Sequence, residues 1–242
     1  MDTKTATAVV TGSRHHRLAR NGQDAAASWR GHHAAAVVVC DGCSSGTSSE
    51  VGARLGARLA IRALADRLGA GARVADPDLW VAVRAEVRER IAALVERDPE
   101  LLEDCFLFTI VAGAVDREHA AVWAIGDGAY AIGGNAHRLG PFADNEPPYL
   151  AYDLVGEPAT PAFEVTAAAT IVVATDGALE LPGDVARFGA ARFVAHGDAL
   201  RRELAVFARP DEQIDWDARR IARTPAPLQD DCAIGVIRVE AP

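Results

Sequence analysis

Three apolar runs in this chain stop at the same kind of dipeptide. AAAVVVC, residues 34–40, meets Asp41-Gly42; the run ending in AVWAI meets Gly126-Asp127-Gly128; TIVVAT, residues 170–175, meets Asp176-Gly177. A fourth run, Cys232 to Val239, is preceded by Asp230-Asp231, and Asp24 stands just before a fifth, Ala25 to Arg30. A single Asp-Gly is an ordinary turn dipeptide. Three of them at the ends of buried-type strands carry more weight, because strands of one sheet bring their ends together and their carboxylates with them. Unpaired, each such charge costs several kcal/mol to desolvate, and like charges add to the cost. Few Lys or Arg stand within these motifs to neutralise them. A bound cation meets the need.

All-oxygen ligation selects hard ions, Mn²⁺ or Mg²⁺, over zinc. Two such ions sharing one carboxylate can polarise a bridging water to hydroxide and brace a phosphoryl oxygen. The glycine after each aspartate lets backbone approach a metal and offer its carbonyl. The chemistry these residues point to is metal-assisted phosphoester hydrolysis.

The elements that must position them follow from periodicity. Thr5 to Thr11 reads as a first strand, followed by a polar loop carrying His15, His16, Arg17, Arg20 and Asn21. Residues 34–40, short and Val-rich, suit a strand buried on both faces. Thr47 and Glu50 have capping-box spacing, opening a helix to about Leu68. Asp76-Pro77 supplies an N-cap and a first helical residue for an amphipathic helix over 78–97. From Phe106 the period becomes that of strands: Phe106 to Val115 and Ala120 to Ile125 form a hairpin, and a short strand lies near Tyr130 to Ile132. Phe163–Val165 and Thr170–Ala174 read as another strand pair. Helical spacing is expected from about Asp198 to Arg223, split at Pro210, with Ile214 and Ile221 on apolar faces. Trp80, Trp123 and Trp216 are expected in the core. Hairpin-linked strands with helices in pairs imply an α+β fold, not a doubly wound parallel sheet.

Bulk properties narrow the function further. The 242 residues fit one domain spanning the whole chain, and half of them are hydrophobic. With 34 acidic against 25 basic side chains, the net charge of −9 disfavours nucleic acid as a partner. No run approaches the roughly 18 apolar residues of a membrane span, and the N-terminus lacks the layout of a secretory signal. Four cysteines do not make a disulfide framework, so the expected location is the cytoplasm.

The ordered segments Asn21-Gly22-Gln23-Asp24, Val38-Val39-Cys40-Asp41-Gly42, Ile125-Gly126-Asp127-Gly128, Ala174-Thr175-Asp176-Gly177 and Asp230-Asp231 resemble the motifs of the type 2C, metal-dependent protein phosphatases. The resemblance is to the divergent bacterial branch, in which a His precedes a Gln-Asp pair, as His16 does here. It runs from about residue 10 to 239. It implies a central antiparallel β-sandwich flanked by paired helices, in four layers α/β/β/α, with a site for two Mn²⁺ or Mg²⁺ ions at one end.

Carried over position by position, Asp41 bridges both metals and the Gly42 carbonyl joins one of them. Asp176 and Asp230 hold the first metal, Asp24 reaches the second through water, and Asp127 matches the place of a weaker third. The implied substrates are phosphoserine or phosphothreonine on proteins, cleaved by direct attack of water. The family's phosphate-gripping Arg has no single counterpart; Arg17 and Arg20 are the candidates, and His16 is a candidate phosphate contact or proton donor. A monomer opposing a Ser/Thr kinase is the expected setting. The family's Asp-Gly-x-Gly-Gly loop is here Asp41-Gly42-Cys43-Ser44-Ser45-Gly46, and its final Asp-Asn is Asp230-Asp231.

Other signals weigh less. Cys40-Asp41-Gly42-Cys43 is a C-x-x-C without the second pair that zinc needs, and its first Cys ends a strand instead of starting a helix. The Ser/Gly loop after Gly42 lacks the Gly-Lys-Ser/Thr ending of a P-loop. A non-catalytic relative that binds phosphoproteins is the alternative reading, opposed by the retained Asp24, Asp41, Asp176 and Asp230. A two-metal hydrolase of small phosphoesters is a third.

Overall fold

A computed structural model describes residues 2–96 and 98–240. Met1 of the N-terminal reading and Arg97, the expected last residue of the 78–97 helix, lie outside the described residues. Two five-stranded antiparallel sheets pack face to face. The first has the order β2 (Asp24–Arg30), β3 (Ala35–Gly42), β4 (Phe108–Val115), β5 (His119–Ile125), β8 (Ala162–Ala167). The second has the order β1 (Thr3–Val10), β12 (Cys232–Val239), β9 (Ile171–Ala174), β6 (Gly128–Ile132), β7 (Asn135–Leu139). β4 and β5 make the expected hairpin, Val115 opposite Ala120. β8 and β9 do not pair with each other: β8 completes the first sheet beside β5, and β9 lies between β12 and β6 in the second.

Helices α2 (Ser49–Gly69) and α3 (Pro77–Val95) cover the outer face of the first sheet, followed by the short α4 (Glu100–Cys105). Leu64, Trp80, Ile91 and Phe108 are buried in that layer, and Trp80 stacks on Trp123 at 6.2 Å. The Asp76 carboxylate caps α3 by accepting from the Asp78 N–H, as Asp-Pro predicts. The α2 capping box does not form, since Ser48 occupies the N-cap without a side-chain bond. The outer face of the second sheet carries α5 (Ala199–Phe207) and short 3₁₀ turns between 176 and 193. The α+β sandwich expected from the sequence is thus the observed architecture.

Further expectations fail locally. Helical spacing beyond Pro210 gives way to a hairpin, β10 (Asp211–Asp215) with β11 (Arg220–Thr224), on which Ile214, Trp216 and Ile221 are exposed. Ile214 and Ile221 sit opposite each other in that register, a cross-strand pair whose spacing also fits a helix face. The loop after β1 contains a single helical segment, α1 (Ser13–Leu18), whose chain leaves through Ala19 in the left-handed conformation at φ 52°.

Alternation along the strands decides where the site lies. On β3, Ala35, Val37 and Val39 pack into the layer between the sheets, while Ala36, Val38 and Cys40 pack against the helices. Continuing by twos, Asp41 points into the inter-sheet layer. The same count on β9 runs Ile171, Val173 and then Thr175, and on β2 it puts Asp24 on the face of Ala26. Asp24 and Asp41 are direct cross-strand partners. Gly126-Asp127-Gly128 carries the chain from one sheet to the other at this same end.

Two interior glycines allow the close approach of the sheets. A Cβ on Gly113 would lie 2.7 Å from Ile171 Cγ2, and one on Gly235 would lie 2.9 Å from Val37 Cβ. Gly113→Val is therefore expected to destabilise the fold by about 1–3 kcal/mol through overpacking, despite the β-propensity of valine. Urea unfolding checks this: the midpoint should fall with little change in slope, and an unchanged midpoint refutes the tight sheet contact.

Candidate metal centre

The sandwich opens at this end into a cleft of about 270 Å³. Asp41, Asp127, Asp176, Asp230 and Asp231 line it, and Asp24 lies fully buried beside them. These six carboxylates come from five separate segments of the chain. Thr175 donates its hydroxyl proton to Asp24 Oδ2 at 2.6 Å and accepts from the Ala233 N–H at 2.8 Å, which locks β9, β12 and Asp24 together. Asp41 lies within hydrogen-bonding reach of both Asp24 and Asp176.

So many acids in one place are reluctant to ionise together. Burial raises Asp24 and Asp41 well above the ordinary carboxylate range, and the charges of Asp231 and Asp176 add to the effect on Asp24. Asp176 is pushed up to about 6, by burial first and then by Asp127 and Asp230. Asp127 is raised by burial as well, and its Oδ1 is buried with no hydrogen-bond partner. An orphaned carboxylate oxygen beside mutually repelling carboxyls is a donor set that fits a hard divalent cation.

Asp231 behaves differently from the others. Its Oδ1 accepts from the Gly12 N–H at 2.8 Å, and its Oδ2 accepts from the Gln23 N–H at 2.6 Å and contacts His15 Nδ1 at 2.7 Å. Three donors compensate this acid, and the bonds pin the start of α1 and the entrance to β2 onto the start of β12. His15, Asp230 and Asp231 also bring ligand atoms within 4.8 Å of one another. Because His15 and Asp231 already satisfy each other, this trio reads as support for the cleft. The Gln23 side chain adds a further tie, donating to Ser49 Oγ at 2.5 Å at the head of α2.

The structure brings Asp24, Asp41, Gly42, Asp127, Asp176 and Asp230 to one end of the sandwich. It does not bring His16, Arg17 or Arg20 there. His16 and Arg17 face a groove on the far side of α1, and Arg20 lines a separate shallow pocket with Asn21 and Glu50. The cause is the helix where a loop was expected: neighbouring helical residues point about 100° apart, so His15 turns inward and His16 turns out. His15, Asp231 and Thr175 were missed as supporting residues. Only the pairing of an acid with the last motif aspartate hinted at Asp231. The exposed Ser44, Ser45 and Glu146 and the buried Tyr149 also line the cleft. All four cysteines are free, Cys40 within the core and Cys43 at the cleft wall.

The sandwich has counterparts among known proteins. The family model for protein phosphatase 2C matches residues 11–205, and the chain belongs to that family. Among solved structures, the serine/threonine phosphatase PstP/Ppp of Mycobacterium tuberculosis superposes with a TM-score of 0.63 at 16% identity, covering 100% of both chains. The catalytic domain of PstP in complex with two manganese ions gives 0.59 at 17% identity over 99% of each chain. Serine/threonine phosphatase Stp1 from Staphylococcus aureus gives 0.61 at 13% identity, covering 100% of this chain and 96% of that one. At such identities the likeness concerns the fold. No curated protein sequence matches the chain.

Two outcomes arise from the electrostatics. In the metal-free protein, a carboxyl raised to about 6 takes up its proton in the folded state before the unfolded chain does. Its stabilising contribution is therefore complete below the ordinary carboxylate range and is lost as pH rises through about 6. Thermal melting of chelator-treated protein should rise from pH 7.5 to pH 5, and the rise should shrink in Asp176→Asn; an equal rise in both proteins refutes the assignment. Asp231→Ala strands two backbone N–H groups and an imidazole, an expected loss of about 3 kcal/mol or more in urea unfolding.

Proposed function

We propose that the protein is a metal-dependent protein serine/threonine phosphatase, hydrolysing phosphoesters by direct in-line attack of water. One observation carries the reading: six aspartates from five chain segments meet at one cleft of a family member, several held reluctant to ionise and one oxygen left without a partner. The residues fit two Mn²⁺ or Mg²⁺ ions. Asp41 would serve both and the Gly42 carbonyl one of them, Asp176 and Asp230 would hold the first, and Asp24 would reach the second through water. Asp127 would serve a weaker third.

When bound, such ions supply Lewis acidity toward water and a phosphoryl group. The chain's own part is positional and electrostatic. Thr175 holds Asp24 in one orientation, so that carboxylate meets its ligand without reorganising. Asp231 fastens three chain segments around the acidic cluster and keeps Asp230 at the edge of the cleft. The exposed Ser44 and Ser45 line the cleft, with Ser45 Oγ 3.0 Å from Cys43 Sγ. An uncompensated acidic cleft would repel a phosphate dianion, so substrate entry depends on cation loading.

PstP and Stp1 are serine/threonine phosphatases, and the PstP catalytic domain holds two manganese ions; both facts support the substrate class and the ion. A monomer acting in the cytoplasm against a Ser/Thr kinase completes the proposal. Among the described residues, no helix is long and apolar enough to cross a membrane.

Hydrolysis of p-nitrophenyl phosphate should appear with Mn²⁺ and vanish with chelator, and Asp41→Asn and Asp176→Asn should each lose at least about a hundredfold in kcat/KM. A phosphothreonine peptide should be preferred over small aliphatic phosphoesters. Activity untouched by chelator, or intact in both variants, overturns the mechanism.

A further inference from the structure

A second cavity, of about 680 Å³, is larger than the acidic cleft and lies on the opposite side of α1. Its floor is apolar: Val9 and Val10 at the end of β1, Ala205 of α5, Ala208 just beyond it, and Pro210 and Pro225 flanking the β10–β11 hairpin. Its charged groups are all of one sign. Arg17, Arg201 and Arg209 line it with His16, and no carboxylate does. Arg201 is engaged by Asp198, at 2.6 and 3.0 Å. Arg17 and Arg209 make no ion pair among the described residues, whereas Arg201 and its neighbour Arg202 both reach Asp198.

In a chain of net charge −9, a concavity with two uncompensated guanidinium groups is a local reversal of the field. Guanidinium presents a planar fork that matches carboxylate, sulfonate or phosphate. The volume lies in the range of small-molecule sites, and such sites combine an apolar lining with a few polar groups that fix orientation. A bare inorganic anion would use the arginines and leave the Val, Ala and Pro floor wet. A neutral apolar molecule would use the floor and leave the arginines idle.

We propose that this cavity binds a small organic anion: an apolar body of one or two rings or a short acyl chain, carrying a single carboxylate, sulfonate or phosphate. The site is independent of the phosphatase reading, since binding is measured without turnover. It shares a wall with the acidic cleft. Ser13 and Arg14 of α1 donate backbone N–H groups to Leu228 O at 3.2 Å and Gln229 O at 3.0 Å. Gln229 lines the cavity, and the adjacent Asp230 lines the cleft. An occupant therefore touches two of the three segments that Asp231 ties together.

The test is calorimetric titration of the full chain with naphthalene-2-sulfonate, an apolar bicycle bearing one non-hydrolysable anion. Saturable one-to-one binding is expected, weakened about tenfold or more by Arg17→Ala and by Arg209→Ala. Arg62→Ala, on the exposed face of α2, should leave the affinity unchanged. 2-Naphthol and inorganic sulfate should each bind at least about tenfold more weakly than naphthalene-2-sulfonate. Should Arg17→Ala fail to fold, as circular dichroism would reveal, Arg209→Ala and Arg209→Glu carry the comparison. No saturable binding overturns the proposal, as does equal affinity for sulfate, or an affinity indifferent to both arginines. A short Asp/Phe peptide that binds more tightly than every small anion overturns it in favour of a peptide-docking groove.

Discussion

Mutual repulsion among crowded carboxylates, from buried Asp24 to exposed Asp230, is the constraint around which this protein is built. Six aspartates crowd one end of a β-sandwich, and only one of them, Asp231, has its charge matched by several protein donors. Burial raises Asp24, Asp41, Asp127 and Asp176 above the ordinary carboxylate range. Folding must therefore supply enough apolar burial elsewhere to hold an arrangement that opposes itself. The Val- and Ala-rich inter-sheet layer and the Trp80–Trp123 stack beneath α3 do this.

The division of labour between neighbouring aspartates is a second theme. Asp230 and Asp231 are adjacent in sequence and opposite in role. In the loop just before β12, both line the cleft, and Asp231 accepts from the backbone of Gly12 and Gln23. Where the related motif carries Asn, an acid here recruits His15 as a third partner. The same short helix then hands His16 and Arg17 to a cavity of opposite charge. One six-residue element thus separates an acidic compartment from a basic one.

Much of this was legible in the chain. The Asp-Gly punctuation of Val-rich runs located the carboxylates, and period-two alternation implied a sandwich end where they meet. The features that escaped did so for physical reasons. Residues 13–18 carry no apolar periodicity to mark a helix, because α1 is held by Asp231 and by the carbonyls of Leu228 and Gln229, far away in sequence. Without the helix, His15 and His16 could not be told apart. Ile214 and Ile221, seven residues apart, fit a helix face and a cross-strand pair equally well, and Pro210 ends α5 without specifying whether a helix or a strand comes next. β8 and β9 each read as a strand, but nothing local says that successive strands join different sheets.

Alternation has a consequence for how such a protein can change over evolutionary time. Asp41 faces inward because it stands an even number of residues beyond Val37 and Val39, and Thr175 does so for the same reason beyond Ile171 and Val173. Exchanging one aliphatic residue for another along these strands preserves that count, whereas inserting or deleting a single residue reverses every later side chain. Point replacement is thereby permitted where indels are forbidden. Lineages of this fold should drift widely in spelling while the spacing between core and carboxylate stays frozen.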